Sequence, residues 1–568
     1  MRVGISMKRL NPSFIPKFKN KLEKLPVFEP SFFKKEDKIN YHYSVDACEF
    51  YQQLLPEGFN KTKVWGFAGL CKDEKNKNIK YIKHSPGPTF EVKRNINTNV
   101  QWNNKILGEY MFKIDKTLVW PNPNNVICNN NLEYDSEEGQ WPPTLIMHVH
   151  GISAPPIYDG NPRAWYTATG IKGPIYSTNY YKYTNEQRGA MLWYYEQSPG
   201  VSRYSVYSGL CGLYFIKDEK YNLPKDEYHI PLIIQDKSFY DDGSLYYDNK
   251  KMESNHPYWR DKFLGDTILV NGKVWPSLNV KNQLYRFNIV NGSNSRPYKI
   301  ALSDNSKMIQ IGSDGGFIEK PQELLYFILY PGERIDLLID FSRYKENDKI
   351  IMKNLFSSDE CEDIMEFAVT NINKKIEYQL PKTFTKYPPM KINTNKLSTI
   401  LLERKKGDCK DGYFINNETY LNPPNIIIKV GSTFIWEFIN LCDDDICIHI
   451  HLTNFQILER QKINKMKFKE IYDKNQELSF NEDEVYESSI LLPELYEEGF
   501  KDTLYCPPSF ITRIIIRYAP TYIMEEVNMG ENYFSFNTNN GPEYIINSQI
   551  LEQKDNYLVR PQIILSEE

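Results

Sequence analysis

The stretch LYRFNIVNGS, residues 284–293, alternates apolar and polar side chains and ends in a turn. Successive residues of a strand point to opposite faces, so Tyr285, Phe287 and Ile289 share one face, while Arg286 and Asn288 share the other. The Asn-Gly pair that follows is a typical hairpin turn signal. The stretch therefore predicts a β-strand that turns one face toward a core.

Similar short strands recur along the chain, for example TFEVKRN at residues 89–95 and TRIIIRYAP at residues 512–520. Long segments with a helical period are scarce. Short strands at regular intervals favour β-sandwiches or barrels over parallel α/β architectures. The sequence therefore predicts an all-β protein.

The chain has 568 residues, which exceeds the usual size of one hydrophobic core and indicates about three domains. Hydrophobic residues make up 41% of the chain, which is enough to build such cores. Proline-rich or charged joints divide the sequence into three blocks. We predict domains at residues 1–220, 221–375 and 376–568, the last of which begins with a linker.

Charge and cysteine content exclude several classes of protein. The formal net charge of -4 gives no field that would favour nucleic acid or an anionic membrane. The nine cysteines show no repeated spacing, which argues against a secreted disulfide framework. The N-terminus has no signal-peptide core, and no stretch approaches the ~20 apolar residues needed to span a bilayer. We therefore predict a cytoplasmic protein with no nucleic-acid or membrane partner.

The chain has only eight histidines, and four of them form two His-x-His pairs. The segment TLIMHVHGI contains His148 and His150, and CIHIHLTNF contains His449 and His451. Each pair can present two imidazoles to one centre if its segment is extended. One such pair on an apolar strand is typical of buried, hydrogen-bonded histidines. Two pairs in a histidine-poor chain shift the interpretation toward a metal site.

A second candidate centre would add Cys447, which lies on the same side of a regular strand as His449 and His451, with Cys442 nearby. A thiolate with imidazoles would suit zinc or copper. The spacing fits no common zinc module, so we interpret Cys447 as a buried, unreactive thiol. No glycine-rich phosphate loop or serine nucleophile motif is found, which argues against nucleotide and hydrolase chemistry.

Four segments resemble, in order, the copper motifs of multicopper oxidases: HVHG, MLWYYEQSPGVSRYSVYSGLCGLYFI, CIHIHLTNFQILER and YIINSQILEQKDNYLVRP. The sequence is most similar to the spore-coat laccase and bilirubin oxidase branch. The likeness extends to GDTILVNGKVWPSLNV, IQIGSDGGFIEK, PGERIDLLIDF and FKDT, and so covers all three blocks. The resemblance implies three cupredoxin-like, or plastocyanin-like, β-sandwich domains. In that family a type 1 copper takes electrons from the substrate, and a three-copper cluster reduces dioxygen.

The resemblance also implies that this chain keeps only part of the ligand set. His148 and His449 match the type 2 positions, His150 and His451 match type 3 positions, and Asp159 matches an acid near the type 2 site. The remaining ligand positions are occupied by Tyr195, Gln197, Ile446, Asn547, Ser548, Gln549, Gln553 and Leu558. Lys554 stands where the family has a proton-donating acid, and a lysine does not deliver a proton as a carboxylic acid would.

Three functions remain open. The first is a non-catalytic scaffold or coat-like protein of unknown partners, since serine, asparagine and glutamine can fill the ligand pockets without metal. This function predicts no cofactor, and the resemblance adds a spore-coat location. The second is a mononuclear copper or zinc protein that uses the four histidines, with Asp159 behind them. The third is an active laccase-type oxidase of phenolic substrates, which the replaced ligands count against.

Overall fold

The computed structural model describes residues 7–35, 38–72, 78–125, 139–218, 220–248, 250–252, 255–371, 376–394, 398–405, 411–475 and 485–566. Strands dominate these residues and form sheets, each built from one continuous part of the chain. We call the three groups of sheets, in chain order, the first, second and third domains. No helix among the described residues is long and apolar enough to cross a membrane.

The first domain contains one large, mixed sheet with the strand order β11-β7-β3-β4-β1-β6-β13-β12-β9. Strand β2 pairs with β3, β5 pairs with β4, and β8 pairs with β10 in a separate small sheet. The strands are β1 (Val27–Phe28), β2 (Ser31–Lys35), β3 (Lys38–Gln52), β4 (Thr62–Lys72), β5 (Ile79–His84), β6 (Gly87–Lys93), β7 (Thr98–Asn104), β8 (Thr144–Leu145), β9 (Met147–His150), β10 (Tyr166–Thr167), β11 (Tyr180–Tyr183), β12 (Ala190–Glu196) and β13 (Cys211–Lys217), and helix α1 (Ser202–Ser208) links the last two. The first His-x-His pair lies on β9, at the end of this strand order.

The second domain has two sheets, with the orders β17-β16-β14-β19-β24-β21-β22 and β18-β26-β25-β20-β23. Its strands are β14 (His229–Phe239), β15 (Leu245–Tyr246), β16 (Thr267–Val270), β17 (Lys273–Val274), β18 (Ser277–Lys281), β19 (Leu284–Asn291), β20 (Tyr298–Leu302), β21 (Met308–Ser313), β22 (Gly316–Leu324), β23 (Tyr326–Leu329), β24 (Arg334–Asp340), β25 (Lys349–Asn354) and β26 (Asp363–Thr370). Strand β19 confirms the prediction for residues 284–293. Phe287 is fully buried, and its ring contacts Phe367 of the facing sheet at 5.5 Å between centroids.

The third domain also has two sheets, with the orders β28-β27-β30-β34-β32 and β29-β36-β35-β31-β33. Its strands are β27 (Ser398–Lys405), β28 (Gly412–Ile415), β29 (Ile426–Lys429), β30 (Thr433–Asn440), β31 (Ile446–Ile450), β32 (Phe455–Lys462), β33 (Thr503–Cys506), β34 (Phe510–Arg517), β35 (Tyr544–Ser548) and β36 (Val559–Leu565), with helices α2 (Lys465–Asn475) and α3 (Leu551–Asp555). Short 3₁₀ helices in the chain cover Pro12–Phe14, Pro156–Tyr158, Asp226–Tyr228, Glu360–Glu362 and Leu495–Glu497. The second His-x-His pair lies at the end of β31, between β33 and β35.

The all-β prediction is confirmed by these strands. The sheets of the three domains use residues 27–217, 229–370 and 398–565, and no described strand is shared between them. The exact boundaries near residues 220 and 375 stay a prediction.

Candidate metal centre

The two His-x-His pairs meet between the first and third domains. The rings of His148 and His451 stack with centroids 4.0 Å apart, and those of His150 and His449 stack at 3.6 Å. Each of the four side chains is no more than 2% exposed. The structure thus brings together all four histidines, although some 300 residues separate the two pairs in the sequence.

One nitrogen of each of three rings is fixed by a hydrogen bond. Nδ1 of His148 lies 2.8 Å from the carbonyl oxygen of Asp159, and Nδ1 of His449 lies 2.8 Å from that of Asp502. Nδ1 of His451 lies 2.5 Å from Oδ2 of Asp159. A carbonyl or carboxylate oxygen accepts hydrogen bonds, so each Nδ1 carries the proton and donates. Nε2 of each ring therefore keeps a free lone pair.

His150 is held by its other ring nitrogen, Nε2. Its Nε2 lies 2.9 Å from Oδ1 of Asp502 and 2.9 Å from Oγ1 of Thr503. Asp502 also accepts two hydrogen bonds from the guanidinium of Arg334, each 2.5 Å long. Donation from Nε2 to this carboxylate leaves the lone pair of His150 on Nδ1.

The remaining nitrogen of each ring is buried and has no hydrogen-bond partner among the described residues: Nε2 of His148, His449 and His451, and Nδ1 of His150. Ligand atoms of His148, His150 and His449 lie within 4.8 Å of one another, as do those of His148, Asp159 and His451. Each buried acceptor without a partner costs about 1–3 kcal/mol. Copper and zinc both accept neutral imidazole nitrogens, so the donor set fits such an ion.

Burial keeps three of these imidazoles neutral, those of His150, His449 and His451. It lowers the pKa of His150 to about 3, although Asp502 opposes the effect, and the pKa of His451 to about 4 against Asp159. The pKa of His449 falls well below its ordinary value for the same reason, aided by His150. The neutral imidazole is the form that binds metal, so these three histidines need no deprotonation near neutral pH.

The two carboxylates behind the rings are ionised. Burial would raise the pKa of Asp159, but His451 and His148 hold it below its ordinary value. Burial opposes ionisation of Asp502 too, and there Arg334 and His150 keep the pKa well below its ordinary value. Both acids can therefore orient the histidines as hydrogen-bond acceptors.

Five of the polar residues singled out in the sequence form a buried network beside the histidines: Tyr195, Gln197, Asn547, Gln549 and Lys554. Nζ of Lys554 donates to Oε1 of Gln197 at 2.9 Å. Nε2 of Gln549 donates to the Tyr195 hydroxyl at 3.1 Å and to Oδ1 of Asn547 at 3.2 Å. These side chains satisfy much of one another's hydrogen-bonding capacity, while Nδ2 of Asn547 is buried without a partner.

The network lies directly against the centre. Tyr195 pairs with His148 across β12 and β9, and the two rings are 5.7 Å apart between centroids. Burial lowers the pKa of Lys554 to about 7, an effect that Asp555 and Glu196 only partly oppose. The positions predicted as replaced type 3 ligands therefore surround the four histidines.

The other four predicted positions lie in the interior of the third domain. Oγ of Ser548 donates to Oε1 of Gln553 at 3.0 Å, and Nε2 of Gln553 donates to the carbonyl oxygen of Asp445 at 2.8 Å. Ile446 and Leu558 are fully buried in the apolar core.

Cys447 is fully buried, and burial raises its pKa well above the ordinary value. A thiol of this kind stays protonated and does not supply a thiolate. This agrees with the interpretation of Cys447 as an unreactive core residue.

Sequence reasoning missed Asp502, Thr503 and Arg334 as parts of the centre. Asp502 and Thr503 stand at the start of β33, whose Thr503 pairs with His449 on β31. Arg334 begins β24 in the second domain. The only available signal was the position of these residues in FKDT and PGERIDLLIDF, two segments that carried the resemblance.

Known proteins with similar sequences include laccases and multicopper oxidases. A laccase of Bacillus subtilis (strain 168) is 32% identical over 553 residues, which cover 94% of this chain and 95% of the relative. A multicopper oxidase of Arabidopsis thaliana is 29% identical over 499 residues, which cover 84% of this chain and 82% of the relative. No protein-family model matches the sequence.

Solved structures show the same fold. The crystal structure of a multicopper oxidase from Pediococcus acidilactici matches with a TM-score of 0.69 and 21% identity, over 98% of this chain and 93% of the other. McoA multicopper oxidase from Aquifex aeolicus matches with a TM-score of 0.66 and 24% identity, over 96% of this chain and 100% of the other. These neighbours confirm the predicted cupredoxin-like, all-β domains.

Proposed function

Because the chain belongs to the multicopper oxidase family, we propose that its four-histidine cluster holds a single copper or zinc ion in a protein without laccase activity. The observation that carries this proposal is the set of four buried imidazole nitrogens that have no other partner. Removing them from water without a partner would be costly, and a metal ion would compensate those that coordinate it.

His148 and His449 would be the main ligands, with His150 and His451 assisting and Asp159 behind the rings. Asp159 fixes two of the four imidazoles through its carbonyl and carboxylate oxygens, which is the usual role of a carboxylate around a metal-binding histidine. When bound, the ion would supply a positive, Lewis-acidic centre. Its ligands come from β9 and the end of β31, so binding would also tie the first domain to the third.

The absence of laccase activity is inferred from the ligand positions. A type 1 copper needs a thiolate and imidazoles, and Ile446, Ser548, Gln553 and Leu558 supply neither. Without that copper, no route remains for electrons from a phenolic donor. Four histidines also fall short of the ligands that a three-copper cluster needs, which favours one ion.

A metal-free scaffold or coat-like protein is the second candidate. It is favoured by the hydrogen bonds among the side chains at the replaced positions, such as Ser548 with Gln553 and Lys554 with Gln197. These pockets are filled and largely satisfied without metal. Coat-type assembly, and a cytoplasmic or spore-coat location, belong to this candidate as proposals.

Metal analysis separates the two candidates. After loading with copper or zinc and extensive dialysis, we expect one ion per chain in the wild type and loss of most of it in His148→Ala and His449→Ala. His42→Ala is the matched control, because His42 lies on β3 and stacks on Tyr180 rather than at the cluster. Its metal content should equal that of the wild type.

Two outcomes would contradict the proposal. A wild type that retains no stoichiometric metal after loading would favour the metal-free scaffold. Copper-dependent oxygen uptake with a phenolic donor would refute both candidates and restore the oxidase.

A further inference from the structure

A cavity of about 340 Å³ lies where the three domains and the segment 376–394 meet. This volume lies within the range of small-molecule sites, roughly 300–1,000 Å³. Its side-chain lining includes Arg94, Arg188, Lys220, Tyr221, Phe317, Phe384, Lys386 and Tyr522. None of these residues belongs to the histidine cluster, so the cavity is a separate site.

Positive charge predominates in this cavity. Arg94, Arg188, Lys220 and Lys386 line it, and Asp218 is the one carboxylate among the lining residues. Nη1 of Arg94 and Nζ of Lys220 each lie 3.2 Å from the same oxygen of Asp218. A single carboxylate is thus shared by two cations while the chain as a whole carries a formal charge of -4.

Arg188 has no carboxylate partner among the described residues. Its Nε donates to the carbonyl oxygen of Thr521 at 3.0 Å, and its Nη2 to that of Lys386 at 2.9 Å. Its Nη1 donates to the Thr385 hydroxyl at 2.5 Å. Burial and the neighbouring Arg94 lower the pKa of Arg188, an effect that Tyr387 and Asp218 oppose only in part.

A third guanidinium, that of Arg517, lies near Arg188 and adds positive charge next to the cavity. Arg517 donates only to carbonyl oxygens, those of Pro389, Pro520, Ile523 and Glu525. Burial and the proximity of Arg188 lower the pKa of Arg517 to about 10. Two guanidiniums at this junction therefore form no ion pair with a carboxylate in the described part of the chain.

Aromatic side chains also line the cavity. The rings of Phe317 and Phe384 are stacked at 5.1 Å, and Tyr221 packs edge-on to Phe384 at 5.1 Å. Tyr522 lies under the guanidinium of Arg94, with 5.5 Å from the guanidinium carbon to the ring centroid. Aromatic rings therefore stand beside the cations of the cavity.

We propose that this cavity binds an organic anion that carries a flat ring, of the nucleoside monophosphate type. The phosphate would pair with Arg94 and Arg188, whose planar donors match its oxygens. The ring would pack on the partly exposed side chains of Tyr221 and Phe317. The proposal is independent of whether the histidine cluster holds metal.

Calorimetric titration at low salt tests the contributions of the phosphate and of the flat ring separately. We expect AMP to bind at least about tenfold more tightly than inorganic phosphate, and adenosine not to bind, with an AMP affinity that falls as salt is added. No heat with AMP would overturn the proposal. Phosphate binding as tightly as AMP would overturn the role of the aromatic side chains.

Variants at the exposed lysines of the cavity and at the partly buried Asp218 test the position of the ligand. Lys220→Gln with Lys386→Gln should weaken AMP binding about tenfold, while Asp218→Asn should strengthen it severalfold by freeing Arg94 and Lys220. The matched control is Lys307→Gln with Lys349→Gln, two exposed lysines of the second domain. The proposal would be contradicted if the control variant lost as much affinity for AMP as the Lys220 and Lys386 variant. It would also be contradicted if Asp218→Asn did not bind AMP more tightly, because AMP would then bind elsewhere.

Discussion

At the scale of single residues, Lys554 is an amine buried without a carboxylate in hydrogen-bond contact. Its Nζ donates to Gln197 at 2.9 Å and approaches the Tyr195 hydroxyl at 3.4 Å. Its pKa of about 7 lies far below the ordinary value of 10.5 because burial penalises the charged form. A position that holds an acid in the family pattern thus holds a base that titrates near neutrality.

The lowered pKa of Lys554 makes its effect on stability depend on pH. Between pH 7 and 10.5 the unfolded chain binds the proton and the folded chain does not, so stability rises with pH across this window. The destabilisation of the fold by the buried charge of Lys554 is fully present below pH 7 and disappears toward pH 10.5. We expect Lys554→Met to raise the free energy of unfolding by roughly 3 kcal/mol at pH 6 and to have little effect at pH 10.

Urea unfolding at the two pH values measures this difference. Lys391→Met is the control, because Lys391 and its partner Glu526 are both exposed. Its effect should be small at both pH values. A gain from Lys554→Met that is equal at pH 6 and pH 10 would show that Lys554 is not a destabilising buried charge.

Gly151, the last residue of the HVHG motif, has a steric requirement of its own. Its φ is +88°, and a Cβ at this position would lie 2.5 Å from Oδ2 of Asp502 and 2.7 Å from Nη2 of Arg334. A side chain there would push apart the buried ion pair that orients His150. Glycine is therefore needed both for the backbone conformation and for the close approach of Asp502.

Gly151→Ala should destabilise the fold by about 3 kcal/mol or more and should lower metal content. Gly170→Ala is the matched control, since Gly170 has a φ of +90° and no atom within 4 Å of its Cβ position. Its free energy of unfolding should fall by only about 1–2 kcal/mol, because of backbone strain alone. Chemical denaturation and metal analysis of both variants make the comparison, and equal losses in the two would refute the steric argument.

At the scale of elements, the N-terminus of helix α1 in the first domain is capped by a residue of helix α3 in the third domain. Oδ1 of Asp555 accepts from the backbone N–H of Ser202 at 3.2 Å and from its hydroxyl at 2.6 Å. Oδ2 accepts from the N–H of Arg203 at 3.0 Å and from its guanidinium at 2.9 Å. A helix of seven residues is too short to be stable alone. Asp555 therefore serves as both cap and counterion for an element of another domain.

Asp555→Asn should cost about 3–5 kcal/mol, because it leaves the fully buried Arg203 charge uncompensated. Adding Arg203→Met to this variant should recover part of the loss, since no charge then remains buried. The coupling energy from a double-mutant cycle in urea measures this directly. Additive losses from the two substitutions would contradict the pairing.

The sequence predicted the strands better than the helices, for a physical reason. Strands β6, β19 and β34 follow from local alternation, and the extended His-x-His pairs lie on or beside β9 and β31 as predicted. Helix α1 was not predicted, because its cap comes from a residue about 350 positions later. The meeting of the histidines was anticipated as a possibility, but Asp502 and Arg334 join the centre only through tertiary contacts that leave no local pattern.

At the scale of the whole molecule, buried charges join all three domains. Asp502 of the third domain is bound by Arg334 of the second and faces His150 of the first. Beside it, Lys501 pairs with Asp314 at 3.1 Å and with Glu333 of the second domain at 3.0 Å. These ion-paired side chains are no more than 4% exposed, so separating the domains would expose or orphan several charges together.

We therefore expect calorimetry to show one cooperative unfolding transition for the described domains rather than three. Asp502→Asn should lower the free energy of unfolding by about 3–5 kcal/mol, because Asp314, at 3.7 Å, would be the one carboxylate left in ion-pair contact with Arg334 among the described residues. Glu323→Gln, which breaks an exposed pair with Lys307, should cost less than about 1 kcal/mol. Separate transitions in the wild type, or equal effects of the two variants, would show that the domains are stable independently of this ion network.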